Sequence, residues 1–257
     1  MKSFMIVLAV LLNAISSLAT ESAKPPQVFF MIGEPEYGTS TNLPNFAKAE
    51  LESRGVHCTF SILTNDASDS FPGMEALKQA DILFISVRRH APPPEQMRLI
   101  RDHIASGKPV VGIRTASHAF GKKKGAKEGA WEEFDHEILG GNYQNHYGKG
   151  LSSVIKPVSE MMKHPVLRGV SVDGFATSAP LYKNKGLDKA DTILMTGQLR
   201  GLNETEPVAW VNEKNGRRVF YTSLGAPEDF HQPAFRKLLL NGIFWAMNVS
   251  ETKLPER

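Results

Sequence analysis

The chain has 257 residues and a formal net charge of +3 at pH 7, from 30 Lys and Arg against 27 Asp and Glu. So small an excess of positive charge predicts neither a nucleic-acid partner nor a membrane-surface partner. The single cysteine, Cys58, excludes an internal disulfide bond. The chain is long enough for one α/β domain with a substantial hydrophobic core.

Residues 1–19 have the pattern of a secretory signal peptide. Lys2 precedes an apolar run over residues 4–12, and Ser17 and Ala19 stand before a cleavage site at Thr20. The run is too short to span a bilayer comfortably. We therefore predict an exported protein, periplasmic or secreted, without stable membrane insertion after cleavage; an uncleaved anchor is the alternative. The remaining chain divides into a short tail at 20–27, one α/β domain at 28–248 and a C-terminal tail at 249–257.

Strand and helix signals alternate in the first half of the domain. Apolar or alternating runs predict strands at residues 28–32, 56–62, 82–87 and 109–113. Helical spacing of apolar residues predicts helices at 43–53, 74–79 and 94–105. This alternation favours a central, mostly parallel sheet with helices on both faces.

The second half of the domain predicts further strands, at residues 151–156, 192–199, 207–212 and 217–222. Asn215-Gly216 joins the last two and is a strong hairpin signal. Helices are predicted at 131–139 and, closing the domain, at 233–248. The predicted architecture is a three-layer α/β sandwich with a late antiparallel hairpin.

The most distinctive segment follows the fourth predicted strand, where Gly112-Ile113 leads into Arg114 and a predicted helix start. Open α/β sheets place their chemistry beyond the carboxyl ends of their strands. Many α/β enzymes carry a Cys or Ser nucleophile at such an elbow. Arginine stays protonated and cannot be a nucleophile. The segment therefore predicts an active-site elbow from which the commonest chemistry is excluded.

His118 lies four residues after Arg114, so a helix would present both side chains on one face. On that face an imidazole can act as general acid or base. A guanidinium can bind a carboxylate, a phosphate or an oxyanion. The alternative interpretation is that Arg114 pairs with a buried acid and His118 caps the helix.

Separated histidines raise the further possibility of a divalent-metal site. Histidine and carboxylate side chains are typical ligands of such metals. The candidate ligands are His118, His146 and His231 with Asp229 or Glu34. Their spacing matches no compact metal motif, so the sequence leaves the cofactor open.

Short segments spread over residues 28–247 match one family in order. They are 110–120, Trp131, Leu139-Gly140-Gly141 with His146, His164-Pro165, 207–210, 216–225 and 241–246. Together they resemble the ThuA-like (trehalose utilisation) family, which is similar in fold to class I glutamine amidotransferases. The resemblance implies a flavodoxin-like α/β domain. In those amidotransferases a catalytic cysteine occupies the position of Arg114, so the resemblance implies that this chain is not a glutaminase.

The resemblance also implies a role in carbohydrate metabolism, with a disaccharide or keto-sugar glycoside as ligand, and it allows a homodimer. In the leading hypothesis, His118 is a general acid/base, Arg114 stabilises negative charge on a substrate oxygen, and His146 and Asp229 complete the catalytic set. The expected substrate-binding residues are Glu34, Tyr37, Thr115, Ser117, Trp131, Tyr143 and His231.

Two differences from the family pattern keep other functions open. ThuA-like proteins often carry His at the position of Arg114, and Gly-His where this chain has Gly225-Ala226. Both differences remove an imidazole from the expected site. The alternatives are a non-catalytic sugar- or protein-binding module on the same fold and a metal-dependent glycoside hydrolase.

Overall fold

A nine-stranded sheet forms the centre of the computed structural model, which describes residues 24–123 and 125–249. The strands in chain order are β1 Gln27–Gly33, β2 His57–Ile62, β3 Ile82–Val87, β4 Val110–Ile113, β5 Asn145–His146, β6 Ser153–Pro157, β7 Phe175–Thr177, β8 Tyr182–Lys183, β9 Thr192–Leu199, β10 Thr205–Lys214 and β11 Arg217–Thr222. The longer helices are α1 Thr39–Phe46, α2 Pro94–Ala105 and α3 Pro233–Ala246. Short 3₁₀ or π turns cover Ala47–Leu51, Glu52–Arg54, Met74–Gln79, Arg114–His118, Asp135–Leu139, Ser159–Met161, Pro165–Leu167 and Asp229–His231.

The order of strands in the large sheet is β2-β1-β3-β4-β11-β10-β9-β6-β7. The first five strands in this order are parallel to one another. The remaining four extend the sheet in antiparallel pairs, beginning with the predicted hairpin of β10 and β11. β5 and β8 form a separate antiparallel pair. The predicted α/β architecture with a late hairpin is confirmed.

The two faces of the parallel strands pack against different helices. Along β1, Phe30 belongs to the apolar cluster that contains α1 and α3, whereas Phe29 belongs to the cluster that contains α2. Side chains alternate between the faces of a strand, so a strand covered on both faces is apolar throughout. This explains the continuous apolar runs of β1 and β3 and confirms the three layers.

Two predicted helices differ from the structure. The helix predicted at 43–53 begins at Thr39, after Gly38 in the left-handed region, and its turns continue to Arg54. The helix predicted at 131–139 is only the π turn Asp135–Leu139. Its first residues are held elsewhere, because the Trp131 N–H donates to the Phe120 carbonyl. Strands β5, β7 and β8 were missed because two or three residues show no periodicity.

The predicted signal peptide lies outside the described residues, as does most of the predicted C-terminal tail. Within residues 24–123 and 125–249, no helix has both the length and the apolar character needed to cross a membrane.

Candidate functional site

Four turns meet at the carboxyl edge of the parallel strands. They follow β1, β3, β4 and β11 and begin at Glu34, Arg88, Arg114 and Ser223. Backbone hydrogen bonds join them: the Arg88 N–H donates to the Gly33 carbonyl at 2.9 Å, and the Arg89 N–H donates to the His118 carbonyl at 3.0 Å. A cleft of about 660 Å³ opens at this edge. Its size falls within the range of small-molecule sites.

The elbow after β4 has the predicted form of a strand, a sharp turn and a short helix. Arg114 has φ +46°, a left-handed conformation that costs a residue with a Cβ about 1 kcal/mol. The Arg114 carbonyl accepts hydrogen bonds from the Tyr221 hydroxyl at 2.7 Å and from Ser117 Oγ at 3.3 Å. These two donors hold the unfavourable turn in place.

The Arg114 side chain lies beneath the cleft and is only 2% exposed. Its Nη1 donates to the Ser223 carbonyl at 2.7 Å, and its Nη2 donates to the Pro180 carbonyl at 3.1 Å. The guanidinium carbon stands 4.4 Å from the ring centres of both Tyr37 and Tyr182. Arg114 makes no ion pair with any acid in the described part of the chain. It connects the turns after β1, β4 and β11 and does not line the cleft.

His118 ends the short helix after the elbow and lines the cleft. Its ring stacks on Tyr143 with 4.6 Å between ring centres, and Ser117 Oγ lies 3.1 Å from its Nδ1. Burial, followed by the positive charges of Arg89, Arg88 and Arg114, lowers the pKa of His118 to about 3. The imidazole is therefore neutral at physiological pH.

The small sheet of β5 and β8 supplies the opposite wall of the cleft. His146 pairs directly with Tyr182 in this sheet, and both line the cleft. Just before β5, the Tyr143 N–H donates to Asp135 Oδ2 at 2.8 Å. Burial raises the pKa of Asp135 to about 7. The ring centres of Tyr143 and Tyr182 lie 4.6 and 6.2 Å from that of His118, and Tyr37 lines the same cleft.

Several expected site residues do not line the cleft. The Glu34 carboxylate accepts hydrogen bonds from the backbone N–H groups of its own turn, at 2.8 Å from Tyr37 and 3.0 Å from Thr39. Asp229 Oδ2 accepts from the N–H groups of Gly225 and Ala226 at 2.8 and 3.0 Å. Both carboxylates thus shape turns at the site.

Four more expected residues also lie outside the cleft lining. Thr115 and Ser117 are buried under the elbow, at 0% and 6% exposure. Trp131 packs on Arg101 and donates its indole N–H to Glu137, on the α2 side of the sheet. His231 is exposed at the end of the 3₁₀ turn after β11. Of the expected site residues, Tyr37, His118, Tyr143 and His146 are the four that the structure gathers around the cleft.

The comparison with models of protein families identifies the family of this chain. The family model described as ThuA, trehalose utilisation, matches residues 37–246. The chain belongs to the ThuA family. No curated protein matches it by sequence.

Solved structures with the ThuA fold agree with this result. A putative ThuA-like protein from Parabacteroides merdae is 18% identical with a TM-score of 0.66, over 91% of this chain and 93% of that one. A putative ThuA-like protein from Bacteroides uniformis is 15% identical with a TM-score of 0.64, over 89% and 94%. Agd3, a novel carbohydrate deacetylase, is 11% identical with a TM-score of 0.58, over 87% of this chain and 32% of that one.

The metal site suggested by the separated histidines is not formed by the described residues. They contain no group of three or more His, Cys, Asp or Glu side chains that could hold a metal ion. The reason is local: Glu34 and Asp229 bind backbone N–H groups, and His231 lies outside the cleft lining. The described residues of this ThuA chain therefore do not bring the suggested ligands together.

Sequence reasoning missed three important groups of the cleft, Arg88, Arg89 and Tyr182. The arginines follow the carboxyl end of β3, so the rule that pointed to His118 after β4 also applied to them. Arg89 has φ +53°, a conformation that is rare for a residue with a Cβ and is found at functional sites. Tyr182 carried no such signal, because it lies in the two-residue strand β8.

Proposed function

We propose that the cleft binds a carbohydrate and that His118 transfers a proton during its conversion. The observation that carries this proposal is the lining of the cleft by Tyr37, Tyr143, Tyr182 and His118. Aromatic rings provide apolar surfaces with a polar edge, and small-molecule sites combine such surfaces with few polar groups. A sugar ring presents the matching surfaces, with C–H faces and hydroxyl edges.

The family and fold comparisons support the same substrate class. The ThuA family is described by trehalose utilisation. The part of Agd3, a carbohydrate deacetylase, that shares this fold is 32% of that chain. An arginine at the elbow tip excludes a nucleophile there, so acid–base chemistry by an imidazole is the reaction type that the remaining cleft residues support.

His118 has the position for proton transfer. Ser117 Oγ contacts Nδ1, which leaves Nε2 as the ring nitrogen available to a ligand. Because the imidazole is neutral, it begins the reaction as a base. Arg114 takes a positioning role in this proposal: its guanidinium fixes the rings of Tyr37 and Tyr182 on either side.

The test is turnover of trehalose, related disaccharides and their 3-keto forms by wild type and by His118→Ala. We expect the variant to lose at least about 100-fold in kcat, the usual size of general acid–base catalysis. His57→Ala is the matched control, because His57 is exposed at the opposite, amino-terminal end of β2. Wild-type kinetics in His118→Ala would remove His118 from the catalytic role.

A second candidate function is a non-catalytic carbohydrate-binding module. The observation that favours it is the pKa of about 3 at His118, because so weak a base abstracts protons poorly at neutral pH. The same panel separates the two candidates. Saturable binding, seen as a rise in melting temperature, without any product would favour the binding module, whereas turnover would exclude it.

A further inference from the structure

The charges that line the cleft are mostly positive. Arg88, Arg89 and Lys149 face one acid, Glu36. Arg88 Nη2 lies 3.2 Å from Glu36 Oε1, so these two charges compensate each other. The charges that remain without a counter-ion in the described part of the chain are those of Arg89 and Lys149.

Arg89 is the more informative of the two. It is half-buried, so its guanidinium is partly removed from the water that would otherwise solvate its charge. Its backbone holds a left-handed conformation, φ +53°, fixed by the hydrogen bond to the His118 carbonyl. Within residues 24–123 and 125–249, the side chain makes no hydrogen bond or ion pair. An arginine in such a position is typical of a binding site for an anion.

His118 lies in the same positive potential. After burial, the largest influence that lowers its pKa is Arg89, followed by Arg88 and Arg114. An anion bound beside Arg89 would offset these charges, and the His118 pKa would rise towards neutrality. The ligand itself would then make the imidazole a better base.

We propose that the cleft is selective for a carbohydrate that carries one anionic group, a carboxylate or a phosphate, and that Arg89 binds this group with support from Lys149. The inference rests on the proposed carbohydrate function of the same cleft. A guanidinium binds either anion through two parallel N–H···O bonds. The partly exposed ring of Tyr143 packs on the sugar in this arrangement.

The experiment compares the binding of matched pairs by titration calorimetry. Trehalose is compared with trehalose 6-phosphate, and methyl α-glucoside with methyl α-glucuronide, so that both members of a pair keep the same sugar rings and the two pairs test a phosphate and a carboxylate. We expect the anionic member of at least one pair to bind about 10-fold more tightly or better, as a charge-assisted bidentate contact allows. Inorganic phosphate serves as the anion without a sugar.

Variants then test the assignment to Arg89. Arg89→Gln is expected to remove the preference for the anion, so that the charged and the neutral member of a pair bind with equal affinity. Arg98→Gln removes the same charge from an exposed position on α2, outside the cleft lining, and should keep the preference. A preference that survives in Arg89→Gln overturns the assignment.

A measurement on the wild-type protein does not depend on the folding of any variant. Titration of the His118 imidazole by NMR is expected to show a higher pKa with the anionic sugar bound than with the neutral one. An unchanged pKa would contradict an anion beside Arg89.

The outcomes also separate this inference from the proposed function. Equal affinity for both members of each pair overturns the anion preference and leaves the carbohydrate function standing. Binding of inorganic phosphate without binding of any sugar overturns both.

Discussion

The turns after β3 and β4 share a backbone conformation but differ in what their arginine side chains contact. Arg89 and Arg114 both hold left-handed backbone conformations, φ +53° and +46°, at the carboxyl edge of neighbouring parallel strands. The Arg114 guanidinium donates hydrogen bonds to two carbonyls and packs against two tyrosine rings. Arg89 faces the cleft without an ion pair in the described chain. Arg114, in the turn after β4, therefore has a structural role, whereas Arg89, in the turn after β3, presents a charge that a ligand can bind.

The largest expected effect on stability comes from removing the Arg114 guanidinium. Arg114→Met should lower the free energy of unfolding by about 2 kcal/mol or more, because the Ser223 and Pro180 carbonyls lose their donor in a buried site. Arg89→Met should change it by less than about 1 kcal/mol. Urea unfolding of both variants, with Arg98→Met as surface control, gives the difference. Equal losses in the two variants would mean that the two turns do not differ in this way.

The next effect concerns Asp135, which holds the Tyr143 side of the stack on His118. Its pKa is raised by burial from 3.8 to about 7, so the native state binds more protons than the unfolded state between these values. Stability from this group therefore falls as pH rises from about 4 through 7. Asp135→Asn stays neutral and keeps an oxygen for the Tyr143 N–H.

Relative to wild type, Asp135→Asn should gain about 2 kcal/mol of stability between pH 5 and pH 8. Urea unfolding at both pH values measures this gain. His103 titrates in the opposite sense, with its pKa lowered by burial to about 4, but it is common to both proteins and cancels. A difference between variant and wild type that is constant with pH would show that Asp135 is ionised in the folded protein.

A smaller effect tests the backbone of the elbow alone. Tyr221→Phe removes one of the two donors to the Arg114 carbonyl and should cost about 1 kcal/mol of stability. The turn after β3 keeps its own hydrogen bond to the His118 carbonyl. Ligand affinity should therefore change less than stability does. A variant with full stability and lost binding would reverse the roles assigned to the two turns.

The parts of this picture that sequence could predict are those with a local signal. The apolar runs of β1, β3 and β4 located the carboxyl edge, and that edge led to Tyr37 and His118. The partners of Arg114 had no local signal. Tyr182 lies in the two-residue strand β8, which pairs with β5, and Pro180 lies in the loop just before it. The roles of Glu34 and Asp229 could not be predicted either, because the sequence does not distinguish a carboxylate that accepts hydrogen bonds from its own turn from one that binds a ligand.

The smallest expected effect is that of Arg89→Gly, and it is most informative beside the effect of Arg114→Gly. Glycine adopts positive φ without strain, so Arg89→Gly and Arg114→Gly relieve a similar backbone cost while each loses a side chain. We expect the free energy of unfolding of Arg89→Gly to stay within about 0.5 kcal/mol of wild type. The relief of backbone strain in the folded state is nearly cancelled by the higher conformational entropy of glycine in the unfolded chain. Arg114→Gly should be clearly destabilised, since nothing replaces its hydrogen bonds. Because the backbone contribution is similar in both variants, the difference between their free energies of unfolding in urea measures the contribution of the Arg114 side chain to stability. A difference near zero would mean that the Arg114 side chain is not needed for stability and is available to bind a ligand.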